Sequence, residues 1–409
     1  MNEPPLPPGW VWCPLRRLGR FRAGSALTGE GIDPQAGETP VFGGNGQRGF
    51  TDGFTHEGTF ALIGRQGALC GNVNVARGRF WATEHAVVMS PTVVAPIGWL
   101  SRLLEWADLG RLSQSAAQPG IAVDDILGVE VPLPPEDARA AIADFLDRET
   151  AQIDVMIEAQ RVLTSRIDER RLAIITEMVT GGTGSRGSER QPGSEWIGEI
   201  PTHWEVAQVR RLGDLHTGST PVGEESALFS DDSADTPWVR PENLGSRQVS
   251  GRGLGEEGLR QLRCVPAGSV LICGIGATVS KVGQSDRPVA TNQQITAWVH
   301  DLDPAFAYYA MMAAKPGLLA ATVGNTLPIL NNLRLGGVTI PLPPLAEQVA
   351  IGSKLDDVTR VMDDMIEAAN DAVALMRERR SALISAAVTG RIDPHTGQEF
   401  RPEMVLEPA

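Results

Sequence analysis

Residues 132–181 read PLPPEDARAAIADFLDRETAQIDVMIEAQRVLTSRIDERRLAIITEMVTG, and residues 341–390 read PLPPLAEQVAIGSKLDDVTRVMDDMIEAANDAVALMRERRSALISAAVTG. The second stretch is the first displaced by 209 residues without a gap, identical at 22 of 50 positions. A further echo lies upstream of each copy, at an offset of 194: Trp10 with Leu15-Arg-Arg-Leu-Gly19, and Trp204 with Val209-Arg-Arg-Leu-Gly213. Two copies at so long a period make a duplicated domain pair rather than a solenoid. Such a chain has internal pseudo-twofold symmetry open to it, which suits two equivalent partners or a target with two half-sites.

Each copy predicts a long helix. Pro132-Leu-Pro-Pro135 stops a strand at Val131 and starts a helix over about residues 136–178. In it Leu146, Ile153, Ile167 and Ile174 recur every seven residues, with Gln160 in the polar slot and Met156 and Leu163 in an adjacent row. In the second helix, about 345–388, Leu355, Val358, Met362, Met365, Ala369, Ala372 and Met376 alternate steps of three and four, a heptad seam. Each seam needs a partner, and the other copy is the nearest. Paired, the two make a rod roughly 55–60 Å long, and an antiparallel pairing puts the globular parts at opposite ends. The alternative is two unrelated amphipathic helices, each packed on its own domain.

The expected fold class is α+β: two mixed α/β globular parts separated by two long helices that pair as an antiparallel coiled coil with pseudo-twofold symmetry. The expected segments are a first globular part (1–131), a helix (132–181), a Gly/Ser-rich linker (182–200), a second globular part (201–340), a second helix (341–390) and an extended tail (391–409). Short apolar runs such as Phe60-Ala-Leu-Ile63, Ala86-Val-Val-Met89, Ser269-Val-Leu-Ile-Cys273 and Gln294-Ile-Thr-Ala-Trp298 read as strands between Gly-rich turns. One helix is expected near 96–112 and another near 304–314.

No apolar run reaches the roughly 18–20 residues of a membrane span, and MNEPPLPPGW lacks a signal-peptide layout. Four scattered cysteines, Cys13, Cys70, Cys264 and Cys273, read as reduced core thiols of a cytoplasmic protein. The net charge of −14 argues against a simple nucleic-acid binder. Its distribution softens that argument. Residues 1–131 hold 10 basic and 12 acidic groups and residues 195–340 hold 11 and 15, whereas the rest hold 15 and 23. The globular parts are near neutral, which leaves room for a local basic face.

Catalytic motifs fail on context. Gly44-Asn-Gly46-Gln-Arg-Gly49 fits a dinucleotide fingerprint, but Phe50-Thr-Asp-Gly53 opens no helix after it. Gly274-Ile-Gly276 leads to no Walker lysine. None of the three lysines, Lys281, Lys315 and Lys354, stands two residues after an acid, so the nuclease pattern is missing. No Asn/Asp-Pro-Pro-aromatic stretch of an amino-methyltransferase occurs. The chain is expected to do no chemistry itself and to hold no metal. Residue types that read base edges do cluster on loop-like stretches. They are Asn45, Gln47, Arg48, Arg65, Gln66, Asn72, Asn74, Arg77 and Arg79 in the first part, and Arg240, Asn243, Thr278, Lys281, Asn292, Gln293 and Gln294 in the second. The competing reading of any single Asn is a turn former.

These residues together resemble the DNA-specificity subunit of type I restriction-modification systems. The resemblance covers nearly the whole chain. It rests on Gly43-Gly-Asn-Gly46, Leu62-Ile-Gly-Arg-Gln-Gly-Ala68 with Cys70-Gly-Asn72, Trp81-Ala-Thr83, Ile197-Gly-Glu-Ile-Pro-Thr-His-Trp204, Thr291-Asn-Gln-Gln-Ile295 and Ile340-Pro-Leu-Pro-Pro-Leu-Ala-Glu-Gln348. The last, with Val388-Thr-Gly390, is the most specific; Glu136-Asp-Ala-Arg139 lacks its Glu-Gln pair. The resemblance implies that each globular part is a target-recognition domain reading one half of a split duplex-DNA site. It also implies that the paired helices set the spacer. Two methyltransferase subunits would dock symmetrically, optionally with two ATP-driven motor-nuclease subunits. S-adenosylmethionine, Mg²⁺ and ATP would belong to those partners, in a bacterial or archaeal cytoplasm. The alternative function is a coiled-coil scaffold of a multi-subunit defence complex that reads no DNA.

Overall fold

A computed structural model describes residues 6–67, 69–113, 119–182, 190–193, 196–230, 236–324 and 326–399. The chain forms two compact units, Met1–Gln160 with Asn370–Ala409, and Arg161–Ala369. Each unit therefore holds one globular part, the first half of the long helix that follows it, and the last part of the other long helix.

In the first unit, β1 (Val11–Pro14) leads to β2 (Gly19–Ala23), β3 (Thr39–Gly43), β4 (Gly46–Thr51), β5 (His56–Gly64), β6 (Val73–Ala82) and β7 (Ala86–Pro91). Helices α1 (Ile97–Trp106) and α2 (Val123–Leu127), strand β8 (Glu130–Leu133) and the long helix α3 (Glu136–Gly181) follow. Strands β2 to β7 make one six-stranded sheet in the order β2-β7-β5-β6-β3-β4. Alternation along β5 splits its side chains between two faces. Ala61 and Ile63 join Trp99, Leu100, Leu103 and Leu104 of α1, Leu146 of α3 and Val388 of the second long helix in the main core. Leu62 packs on the opposite face with Ala76, Phe80 and Val88. The helix expected near 96–112 is broken at Asp108, which holds φ 45° between α1 and a 3₁₀ turn at Leu109–Leu112.

The second unit runs β9 (Arg190–Pro192), β10 (Glu199–Pro201), β11 (Glu205–Gln208), β12 (Gly213–Thr217), α4 (Glu225–Leu228), β13 (Phe229–Ser230), β14 (Pro237–Val239), β15 (Arg252–Leu254) and α5 (Glu256–Gln261). It continues through β16 (Val270–Cys273), β17 (Val282–Gln284), β18 (Ala290–Thr291), β19 (Ile295–His300), α6 (Pro304–Ala313), α7 (Lys315–Ala320), α8 (Asn332–Gly337), β20 (Thr339–Leu342) and the long helix α9 (Leu345–Val388). Its strands form two four-stranded sheets, β12-β19-β16-β17 and β13-β15-β14-β18. The main core joins Trp298, Phe306 and Tyr309 to Ile175 and Val179 of α3 and to Ile351 and Leu355 of α9.

The duplication is visible in how each globular part closes. In the first unit β1 pairs with β8, Val11 opposite Leu133; in the second β11 pairs with β20, Glu205 opposite Leu342. These are the same positions at the offsets 194 and 209. Each strand runs on through its first proline, Pro132 or Pro341, rather than stopping at Val131. A two-stranded ribbon tolerates a proline whose missing N–H faces away from the partner. At the far end, Gly182 and Gly390 cap the long helices at φ +75° and +73°, each against a tryptophan ring of its own unit, Trp204 or Trp10.

Several expectations need correcting. Of the four thiols only Cys13 and Cys273 are buried, and Cys264 is exposed. The expected linker is in part structured. Ile197 and Ile200 are buried in the second core and Trp196 Nε1 donates to Thr339 O at 3.0 Å, while 183–189 and 194–195 lie outside the described residues. The tail folds back as far as an Ile392–Glu399 bridge, with Ile392 in the first core; 400–409 lie outside.

Along the long helices Leu146, Ile153, Ile167, Leu355 and Ala369 are buried, and Ile174, Val358, Met362, Ala372, Met376 and Gln160 are half-buried. Met156, Leu163 and Met365 are exposed at 51%, 43% and 49%. The inward row beside Ile153 is the i+4 row, carrying Thr150, Ile157 and Arg171. A straight helix advances about 100° per residue, so i+4 lies nearer the centre of a face than i+3. The same shift on α9 buries Thr359 and half-buries Ile366. Among the described residues no helix is long and apolar enough to cross a membrane.

Candidate nucleic-acid interface

In the first unit the β3–β4 hairpin turns at Gly44-Asn45 and leaves Asn45, Gln47 and Arg48 exposed. Gly44 leaves no room for a side chain, since a Cβ there would lie 2.9 Å from Gln66 O and 3.1 Å from His85 O. A Cβ on Gly64 would lie 2.1 Å from Gly44 O. The backbones touch, and the 65–72 loop is laid beside the hairpin turn. Arg65 is the hub: its N–H donates to His85 O at 2.8 Å, its carbonyl accepts from Ile121 N at 3.0 Å, and its Nε donates to Ile121 O at 3.3 Å. Cys70 Sγ donates to the same carbonyl at 3.1 Å, and burial pushes this thiol up, which keeps it protonated as a donor. Asn72 Nδ2 reaches Asn45 Oδ1 at 3.5 Å, and the Asn74 carboxamide lies against Gly46. Gln66 stays exposed.

Asn45, Arg65, Gln66, Asn72 and Asn74 thus share one loop cluster. Arg77 and Arg79 do not join it. They lie three and five residues beyond Asn74, roughly 10–17 Å along β6, where Gly58 faces Gly78 and both hold positive φ. Arg79 is held there by Glu57 at 3.2 Å and lies over the Phe54 ring at 4.8 Å.

In the second unit all the candidates come together. Strands β14 and β18 are parallel, so Arg240 and Asn292 leave the sheet at the same end. Asn292 is 7% exposed and makes a turn: its N–H donates to Val239 O at 3.0 Å, its Oδ1 accepts from Gln294 N at 3.1 Å, and its Nδ2 donates to Gln294 Oε1 at 3.2 Å. Asn243 accepts from Arg240 N at 3.0 Å. Lys281 Nζ donates to the carbonyls of Pro241 and Glu242 at 3.3 and 3.4 Å. Gln293 accepts from the Thr220 hydroxyl. Thr278 Oγ1 sits 3.3 Å from Cys273 Sγ. Arg240 pairs with Glu242 at 3.0 Å beside Trp238. Asn292, Asn243 and Lys281 are occupied in shaping backbone, whereas Arg240, Thr278 and Gln293 are exposed.

The two clusters share one backbone frame. Arg65 N to His85 O and Ile121 N to Arg65 O reappear as Gly274 N to Gln294 O and Leu330 N to Gly274 O, each at 2.8 Å in the second unit. Every residue is displaced by 209. His85 therefore occupies the place of Gln294, although histidine is not among the residue types expected to read base edges. The signal was available: Leu62-Ile63 and Gly67-Ala68 recur as Leu271-Ile272 and Gly276-Ala277 at the same offset.

The helix starts match too, despite the missing Glu-Gln pair. Arg139 Nε donates to Pro134 O at 3.2 Å and its NH1 donates to Val94 O at 2.8 Å. Gln348 Nε2 donates to Pro343 O at 2.9 Å and its Oε1 accepts from Asp303 N at 3.1 Å. Arginine and glutamine bridge equivalent backbone positions. Glu347 accepts from Trp204 Nε1 at 3.0 Å and sits 2.7 Å from His203 Nε2; Ala138 stands at the equivalent place in the first unit.

Residues 201–374 match the family model of the type I restriction modification DNA specificity domain. The chain is 37% identical over 154 residues to the specificity subunit of the type I restriction enzyme EcoprrI of Escherichia coli, covering 37% of this chain and 38% of that one. It thus spans about two fifths of that relative's length. It is 24% identical over 360 residues to a putative type I restriction enzyme specificity subunit of Haemophilus influenzae, covering 84% and 86% of the two chains. Among solved structures, a chain from work on complex assembly and conformational transition of the type I R-M system superposes with a TM-score of 0.63 at 16% identity, over 94% of this chain and 99% of that one. That likeness is one of fold.

Proposed function

We propose, on the premise that this chain belongs to the type I restriction-modification specificity subunits, that it reads a split DNA target, one half-site with each unit. The observation that carries the reading is the shared backbone frame with different side chains mounted on it. Asn45, Gln66 and Asn72 stand on the first frame and Arg240, Thr278 and Gln293 on the second. These are side chains that pair with base edges in the major groove. Sharing a frame while changing its side chains is what two unlike half-sites require.

In this reading the long helices are an antiparallel pair that sets the spacer. Supporting it are two ion pairs, Arg380 to Asp154 at 3.1 Å and Arg171 to Asp363 at 2.6 Å. Seventeen residues forward on one helix correspond to seventeen backward on the other, and displacement by 209 converts one pair into the other. The acidic outer faces of the helices then meet protein: two methyltransferase subunits and, optionally, motor-nuclease subunits. S-adenosylmethionine, Mg²⁺ and ATP act on those partners, and this chain positions them without chemistry of its own.

The test is to insert or delete one heptad in both helices at matched places and map the methylated sites of the assembled complex. The expected result is a changed spacer with both half-sites retained. Altered half-site bases with the old spacer would refute the ruler.

A further inference from the structure

The first unit has a cleft between its α9 segment and the loop after β5, the second has one between its α3 segment and the loop after β16, and the two clefts have diverged. The first, about 760 Å³, is lined by Arg377 and Arg380 against Glu105 and Asp108. Its charges balance, and Arg380 is held by two carboxylates, its NH1 donating to Glu105 at 3.2 Å and its Nε to Asp154 at 3.1 Å. Among the described residues the second cleft, about 310 Å³, is lined by Arg171, Lys281 and Lys315 with Asp168, and Arg171 is also paired with Asp363. Two of the chain's three lysines line this one place. Its volume is at the small end of ligand cavities.

Two buried donors on residues that line the second cleft meet no acceptor among the described residues. Ser280 is 4% exposed and its hydroxyl has no partner, and Arg171 Nε is likewise buried and unpaired while its NH1 and NH2 grip Asp363. Buried polar groups left this way cost free energy that a ligand can return. Ser280 also holds φ +68°, a conformation that favours glycine. At the matching place in the first unit stands Gly71, where a Cβ would lie 2.2 Å from Gly110 N. The second unit has space for a side chain there and carries a hydroxyl at a strained position.

We propose that this cavity binds a phosphate group, its oxygens taken by the Ser280 hydroxyl, Arg171 Nε and the Lys315 ammonium, with Lys281 adding charge. Donors from three separate elements, α3, the 276–281 loop and α7, surround the space, which suits a tetrahedral anion with several acceptor oxygens. The phosphate comes either free or as a phosphodiester of duplex DNA, and the experiment separates these.

The full chain is titrated calorimetrically with inorganic phosphate against chloride at constant ionic strength, and binding to duplex DNA is followed across salt concentrations. A free-phosphate site gives saturable binding that Lys315→Gln weakens about tenfold, and that Ser280→Gly weakens while relaxing the backbone, so that loss of folding is not the cause. Arg377→Gln in the first cleft leaves phosphate binding unchanged. A backbone-phosphate site gives no saturation with inorganic phosphate, but Lys315→Gln lowers DNA affinity and cuts the salt slope by about one. Phosphate binding and salt slope both unmoved by Lys315→Gln and Ser280→Gly would overturn the proposal. The phosphate titration uses no DNA, so its failure leaves the split-target reading standing.

Discussion

The two units keep their joints and change what the joints carry. The first unit makes one six-stranded sheet, in which β6 runs ten residues and pairs with β5 and then, in parallel, with β3. In the second unit the equivalent path is cut into β17 and β18, and the sheet splits in two. Around that break the junction hydrogen bonds are the same. Gly24 N to Ala86 O and Ser25 N to Ala82 O reappear as Gly218 N to Ile295 O and Ser219 N to Thr291 O. Backbone meeting backbone leaves no freedom for side chains, so the junction is held. Side chains mounted on the loops carry no such constraint, so Gln66 stands where Ile275 does, and His85 where Gln294 does.

The comparison breaks most easily at the junction glycines. A Cβ on Gly24 would lie 2.2 Å from Ala82 O, and one on Gly218 would lie 2.1 Å from Thr291 O. Gly24→Ala and Gly218→Ala are each expected to cost about 3 kcal/mol or more, since neither backbone neighbour can yield. Hydrogen exchange should show lost protection in the substituted unit alone. Equal loss in both units would mean that they are not independently folded. Next in size are the exposed amides: Gln66→Ala and Gln293→Ala should each cost about 1–3 kcal/mol at one base pair of one half-site, read from binding to a panel of single-base variants. A uniform loss over all sequences would make them phosphate contacts.

The helix starts sharpen the comparison at a smaller scale. Glu347→Ala should destabilise the second unit by about 1–2 kcal/mol, because it strips the acceptor from buried Trp204. Ala138→Glu should leave the first unit within about 1 kcal/mol of its starting stability, measured by denaturant midpoint. The smallest effect is that of pH. Burial holds His56 and His300 below the ordinary imidazole value, and for His300 the nearby Asp301 and Asp303 oppose the shift. Each therefore contributes stability that is present above about pH 6.5 and is lost as pH falls through the depressed folded value. His56, stacked on Phe80 at 5.3 Å, can be changed to Phe. The acid-side loss in the first unit should then shrink while that of the second persists.

The long helices were legible because their heptads and Pro-Pro starts are local signals, and Leu345–Val388 coincides with the expected span. Which flank of each seam turns inward was not, because the i+3 and i+4 rows carry similar residues and only neighbours decide between Met156 and Ile157. The candidate recognition residues were legible by type but not by place. Nothing local in the sequence tells that Arg79 sits along the β5–β6 ribbon away from the loops, or that Asn292 and Lys281 are occupied with carbonyls and turns. The frame itself was readable in the 209-residue offset, which continues upstream of Pro132 through Leu62-Ile63 and Leu271-Ile272. Divergence of the loops leaves only such short identical stretches to mark it.

The central claim is that each unit reads one half of a split site. The most direct measurement is to map methylated bases genome-wide in cells making this chain together with a type I methyltransferase subunit that assembles with it, compared with cells lacking the chain, and again with Gln66→Ala. The account predicts a two-part motif that depends on the chain, with only one half relaxed by the substitution. No motif from an assembled and active complex, or a single continuous motif relaxed throughout, would contradict it.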